Sequence, residues 1–183
     1  YYEQLLPRVC SLDKHVKMEK IVITGGLGYI GTELCKIYSG EARYKNIVVI
    51  DNRFISERVK QLRDWGIDFV HGDILDKNLI KEILKNSNII YHLAGITNVA
   101  YTKTEANDEL DRSIQEVGVT GSEIVIECAP KTSKLIFPST HVVFEGFEKT
   151  KLEISEDENI CPVLSYASGK DQTEKDLINS DLD

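Results

Sequence analysis

Two residues four positions apart in this 183-residue chain, Tyr166 and Lys170, are of types that could move a proton, although a tyrosine and a lysine at this spacing are unspecific by themselves. On a helix they share one face, so the lysine ammonium sits near the phenol, favours its ionised form and makes tyrosine a usable base. Far upstream, the run Thr24-Gly25-Gly26-Leu27-Gly28-Tyr29-Ile30-Gly31 follows a short β-branched stretch and opens an amphipathic one. A glycine-rich turn from strand to helix lets backbone N–H groups approach a phosphate that a Cβ would hold away, and the helix N-terminus adds partial positive charge. The glycines read as Gly26-x-Gly28-x-x-Gly31 or as Gly25-x-x-Gly28-x-x-Gly31, and the second is preferred because Gly25 directly follows the strand. Twenty residues beyond Gly31, Asp51 closes the next β-branched run with Asn52 beside it. A carboxylate there can accept both hydroxyls of a ribose and repel a 2′-phosphate, which predicts NAD as cofactor rather than NADP. The plainer alternative is that Asp51 and Asn52 only form a turn.

These residues need a scaffold, and the chain supplies one. Short apolar runs at 20–24, 46–50, 67–71, 88–92 and 134–137 read as strands covered on both faces. Amphipathic stretches at 29–38, 56–65, 77–84, 106–129 and 166–179 read as the helices between and after them. In the fourth, Leu110, Ile114, Val117, Gly121, Val125 and Cys128 recur at steps of three and four, one stripe that can lie on a sheet, with Gly121 marking close packing. The alternation predicts an α/β fold, a Rossmann-type doubly wound parallel sheet. The acidic stretch 148–159 reads as a solvated loop.

One domain over 18–183 is expected, preceded by a loosely ordered leader over 1–17, since the chain begins at Tyr1 and its one methionine is Met18. A net charge of -8 argues against binding nucleic acid, which calls for a basic face. Cys10, Cys35, Cys128 and Cys161 are widely spaced and without histidine at ligand spacing, so no metal site is expected. Neither a signal peptide nor an apolar run approaching the roughly 20 residues of a membrane span is visible, which leaves the cytoplasm as the expected location and no membrane partner.

The loop Thr24 to Gly31 resembles the TGxxGxxG turn of the extended short-chain dehydrogenase/reductases, the nucleotide-sugar epimerases and dehydratases. Four more segments match in the family's order. Gly72-Asp73-Ile74 is similar to its adenine-contacting segment, which implies Asp73 at the adenine amino group and Ile74 against the ring. Tyr91-His92-Leu93-Ala94-Gly95 resembles the H-L/F-A-A/G turn, whose small residues pass close to the cofactor. Pro138 to Phe144 resembles the SS-x-x-VYG stretch, which implies Thr140 as the catalytic hydroxyl, and Tyr166 to Lys170, with Pro162 before and Glu174 after, resembles the active-site helix. Three positions depart: Gly169 stands where Ser or Thr commonly precedes the lysine, Phe144 where Tyr is usual, and Gly118 where Asn is frequent. Gly169 is expected to loosen the active-site helix, since glycine costs about 1 kcal/mol relative to alanine there.

The resemblance implies an NAD-dependent enzyme with a nucleotide-sugar substrate. Tyr166 would take the proton of a sugar hydroxyl and Thr140 would hold that oxygen. His141 and Val142 follow Thr140 where 4,6-dehydratases carry an Asp-Glu pair, so epimerase chemistry is favoured. A reductase of a non-sugar alcohol or carbonyl, such as a steroid, and a non-catalytic NAD-binding module are the competing readings. Relatives of this kind run well beyond 300 residues, so the chain is expected to be the truncated N-terminal portion of a longer enzyme, lacking the C-terminal substrate lobe and inactive alone. Its sheet would end at the fifth strand, and the resemblance leaves room for a homodimeric full-length protein.

Overall fold

The computed structural model describes residues 18–40, 45–97, 108–149 and 152–182. The expected leader, with Cys10, lies outside the described residues, as do 106 and 107 of the fourth expected helix and Asp183. Five strands form one parallel sheet: β1 (Glu19–Thr24), β2 (Lys45–Asp51), β3 (Asp68–His71), β4 (Ile89–His92) and β5 (Lys134–Ile136). Their order is β3-β2-β1-β4-β5. The chain thus winds outward from β1 on one side, returns, and continues through β4 and β5 on the other. The reversal leaves a crevice at the carboxyl ends of β1 and β4, where open α/β sheets bind their ligands.

Both sheet faces are covered, which is why the strands read as unbroken apolar runs. Ile21 and Ile23 of β1 point into a core shared with Cys35 of α1 (Tyr29–Tyr38) and with Val59 and Leu62 of α2 (Ser56–Asp64). Val22 points the opposite way, into a core with Ile80, Ile83 and Leu84 of α3 (Lys77–Leu84) and Val125 of α5 (Gly121–Cys128). The alternation within β1 is the period of two that a strand imposes. α2 ends in a Schellman motif: Gly66 adopts φ +72° and Ile67 N–H bonds to Leu62 O at 2.9 Å, turning the chain into β3. Asp76 caps α3 by accepting from Asn78 N and Leu79 N.

The fourth expected helix is not one continuous α-helix. α4 (Asp108–Gln115) runs into a π turn, Glu116–Thr120, before α5 resumes. Gly121 N–H reaches Glu116 O, five residues back. The Gly118 carbonyl meanwhile accepts the hydroxyls of Ser122, at 2.6 Å, and Thr173, at 3.1 Å. Gly121 is packed as expected: a Cβ there would lie 2.5 Å from Ile74 Cδ1. α6 (Ser165–Ile178) runs unbroken through Gly169, so that glycine does not interrupt it. Among the described residues β5 is the last strand on its side, paired with β4 alone. No helix among them is long and apolar enough to cross a membrane.

Candidate active site

The site starts where β1 ends. Gly25 adopts φ +68°, and its N–H bonds to Ile50 O at 2.8 Å, so the turn leaves β1 hooked onto β2. A Cβ at Gly25 would lie 2.7 Å from the backbone of Ala94, so the exits of β1 and β4 can pass this closely only with glycine. Gly31 plays the packing role: a Cβ there would sit 2.6 Å from Gly26 Cα. No side chain caps α1. The N–H groups of its first turn therefore stand at the crevice without an intrahelical partner. A Cβ at Gly28 would meet Gly25 O at 3.1 Å, a tight approach that glycine relieves. An anion fits this cradle.

Around it lies a cleft of about 400 Å³. Gly25, Gly28, Tyr29, Ile30 and Gly31 line it from the loop, Asp51 and Asn52 from the end of β2, and Asp73 and Ile74 from the end of β3. Leu93, Ala94 and Gly95 line it after β4, and Tyr166 and Lys170 close it from α6. Every residue expected to hold a cofactor thus borders one cavity. Thr140 does not border it. Its hydroxyl oxygen accepts Val142 N–H at 3.3 Å and caps the 3-10 turn His141–Phe144, while the neighbouring cleft wall is Pro138 and Ser139.

Asp51 is buried, and its carboxylate is fully engaged. Oδ1 accepts Arg53 N–H at 3.0 Å and Arg53 Nε at 3.1 Å; Oδ2 accepts Leu27 N–H at 3.0 Å and Arg53 Nη2 at 3.1 Å. The contact raises the Arg53 pKa, chiefly through the hydrogen bond to Asp51. Asp73 accepts Leu75 N–H on one oxygen and Asn52 Nδ2 on the other, both at 3.0 Å. It is therefore both a turn former and a wall of the cleft.

Behind the small-residue turn, a buried polar chain runs in one direction. Ser122 donates its proton to Gly118 O, so its oxygen is left to accept from His92 Nε2–H at 2.9 Å. His92 Nδ1 then accepts the Thr24 hydroxyl at 2.8 Å, and Thr24 Oγ1 accepts Ala94 N–H at 3.1 Å. Only a neutral imidazole fits this sequence of donors. Burial, with the nearby Lys170 charge assisting, pulls the His92 pKa down to about 3.

Lys170 stands at the other end of the cleft. Its Nζ lies 5.9 Å from the centre of the Tyr166 ring and 4.1 Å from that of Phe137, and it donates to Pro138 O at 2.9 Å. Burial lowers its pKa to about 8, against the opposing charge of Glu174. Glu174 accepts the Ser139 hydroxyl, which ties α6 to the chain just beyond β5.

The profile of the 3-beta hydroxysteroid dehydrogenase/isomerase family matches residues 22–181. The chain belongs to that family, within the extended short-chain dehydrogenase/reductases. UDP-glucose 4-epimerase of Yersinia enterocolitica is 33% identical over 135 residues, covering 68% of this chain and 38% of that enzyme. The dTDP-D-glucose 4,6-dehydratase of Dictyostelium discoideum is 27% identical over 135 residues, 69% of this chain and 30% of that one. Among solved structures, UDP-glucose 4-epimerase from Brucella ovis in complex with NAD superposes with TM-score 0.71 at 26% identity, over 90% of this chain and 49% of that one. The chain spans less than half the length of each of these relatives.

Several cleft and supporting residues were not read from the sequence. Arg53 stands two residues after Asp51, and its claim on that carboxylate leaves no periodic trace. Phe137 and Ser139 flank the expected Pro138 to Phe144 segment's start, where position alone does not say which side chain meets Lys170 or the cleft. His92 lies inside a segment matched for its small residues, and its hydroxyl partners Thr24 and Ser122 are 68 and 30 residues away in sequence, so no local signal marks the pairing.

Proposed function

We propose that the chain forms the NAD-binding portion of an enzyme that acts on a nucleotide sugar, with epimerase chemistry favoured over 4,6-dehydration. The observation that carries this reading is that one cleft joins the glycine loop, Asp51 and the Tyr166–Lys170 pair. The first-turn N–H groups of α1 hold the pyrophosphate, Asp51 and Asn52 the ribose, and Asp73 and Ile74 the adenine. When bound, the nicotinamide supplies the hydride acceptor and donor. Tyr166 removes the proton from the reacting sugar hydroxyl. Lys170, held by Pro138 O and the Phe137 ring, favours the ionised phenol. Thr140 stands just outside the cleft wall formed by Pro138 and Ser139; it spends only its acceptor capacity on Val142 N–H, and the family pattern would have it donate its proton to a substrate oxygen that reaches past Ser139. His141 and Val142 stand in place of the Asp-Glu pair of the 4,6-dehydratases, which counts against that branch and favours epimerase chemistry.

The steroid-dehydrogenase name of the matching family supports a second reading, oxidation of a non-sugar alcohol by the same three side chains. NADH fluorescence titration tests the shared part: saturable binding in the wild type, weakened about tenfold in Asp51→Ala, is expected from loss of charged hydrogen bonds. Equal affinities would mean that the ribose site lies elsewhere. Product analysis of the full-length protein with NAD and UDP-glucose separates the chemistries. A 4-keto-6-deoxy sugar would sink the epimerase assignment, and turnover of a 3β-hydroxysteroid instead would favour the second reading.

A further inference from the structure

Arg53 lines the cleft with a charged side chain to which the proposed function gives no task. Its guanidinium provides two of the four hydrogen bonds on Asp51, and a carboxylate offers about four lone-pair positions, so the acceptor meant for ribose is full. The other two donors, Leu27 N–H and Arg53 N–H, are backbone groups fixed by the loop. The side chains differ sharply in exposure: that of Asp51 is 3% exposed and that of Arg53 55%. The guanidinium bonds are therefore the two that a ribose diol can replace. While bonded to Asp51 the guanidinium already stands beside Gly28, where a Cβ would lie 3.9 Å from Nη2, so it lies in the cleft wall.

Building on the dinucleotide reading above, we infer that Arg53 sets cofactor choice, yielding Asp51 to the ribose hydroxyls and pairing with a 2′-phosphate when one is present, so that the cleft takes NADP(H) as well as NAD(H). Asp51 alone would meet the phosphate with uncompensated negative charge. The Arg53–Asp51 pair is neutral overall, and a planar guanidinium matches phosphate oxygens two at a time. The carboxylate still serves the unphosphorylated ribose, because its fixed backbone donors hold it in place when the arginine leaves.

Fluorescence titration of wild type, Arg53→Ala and Arg53→Lys with NADH and with NADPH tests the inference, with thermal melts to confirm folding. The wild type is expected to hold NADPH within about tenfold of NADH, and Arg53→Ala to weaken NADPH by about tenfold or more, the size of a lost charged contact. NADH should bind Arg53→Ala as well as the wild type or better, because its competitor for Asp51 is gone. Arg53→Lys keeps the charge without the fork and should fall between. An NADPH-to-NADH ratio unchanged in Arg53→Ala, or a wild type that binds NADH but not NADPH, overturns this inference and leaves the dinucleotide reading standing. Failure of the wild type to bind either nucleotide overturns both.

Discussion

The ammonium of Lys170 donates to the carbonyl oxygen of Pro138 at 2.9 Å, which fastens the middle of α6 to the chain leaving β5. A neutral carbonyl and the Phe137 ring replace water only in part, so burial brings this lysine to about 8 from its ordinary 10.5. The unfolded lysine holds its proton up to 10.5 and the folded one releases it near 8. Between those values the unfolded state binds more protons, and stability rises with pH. Melting curves of wild type and Lys170→Met across pH 7 to 10.5 should therefore converge: the variant is the more stable at pH 7, and the gap narrows as pH rises. A gap that is constant over that range would contradict the burial argument.

His92 gives the opposite end of the scale. Its folded pKa of about 3 lies below the ordinary 6.5, so the unfolded state binds the extra proton at acid pH. The stability that the neutral imidazole provides is complete above 6.5 and is lost as pH falls towards 3. Acid melts should show this loss in the wild type, with a shallower slope in His92→Gln. His92→Ala, which leaves the Thr24 and Ser122 hydroxyls facing a cavity, should cost about 3 kcal/mol at pH 7. A cost below that of an ordinary surface substitution would mean that the chain from Ala94 to Gly118 does not hold the two strand ends together.

Much of this geometry was legible beforehand, for identifiable reasons. β1 and β2 are buried on both faces and leave unbroken runs of Ile and Val, and Gly25 must follow β1 for the loop to turn under Ala94. The π turn was not legible, because the stripe from Leu110 to Cys128 has the same steps whether the middle turn is α or π. Which of Ser139 and Thr140 borders the cleft depends on the 3-10 turn after β5, a backbone choice that a motif position does not encode. The Arg53–Asp51 pair was hidden for another reason: two residues apart after a strand, nothing in spacing says that the side chain folds back.

Two glycines on helices should respond to alanine with opposite signs. A Cβ at Gly169 would find Val119 Cγ2 at 3.6 Å and Gln115 Nε2 at 3.9 Å, ordinary contacts, so Gly169→Ala gains helix propensity of about 1 kcal/mol. In a domain of this size that raises the Tm by about 2–4 °C. At Gly121 the new methyl would meet Ile74 at 2.5 Å, and Ile74 is buried and lines the cleft. Gly121→Ala should cost about 1–3 kcal/mol through overpacking and weaken NADH binding as Ile74 is pushed into the cleft. Differential scanning calorimetry of the two variants decides it; equal Tm shifts would show that the close approach of α5 to Ile74 relaxes freely.

Gly25→Ala should be the most damaging of the glycine substitutions, because both of its costs fall on backbone. φ +68° is disfavoured for alanine, and the new Cβ would face Ala94 Cα and N at 2.7 Å and Leu93 C at 2.9 Å. None of those atoms can swing aside as a side-chain terminus can, so the exits of β1 and β4 must part. Parting them strains Leu93 N–H to Thr24 O, at 3.2 Å, and Ala94 N–H to Thr24 Oγ1. A loss of about 3 kcal/mol or more is expected, from the strained conformation and the overpacking together. Hydrogen exchange localises the effect: the Leu93 and Ala94 amides should lose protection in Gly25→Ala even under conditions where the rest of the sheet keeps it. Gly40→Ala, where a Cβ meets nothing within 4 Å, serves as the control and should leave those amides unchanged. Intact protection at Leu93 and Ala94 in Gly25→Ala would show that the two strand exits are not locked by this glycine, and the cradle before α1 would then owe its shape to Gly28 and Gly31 alone.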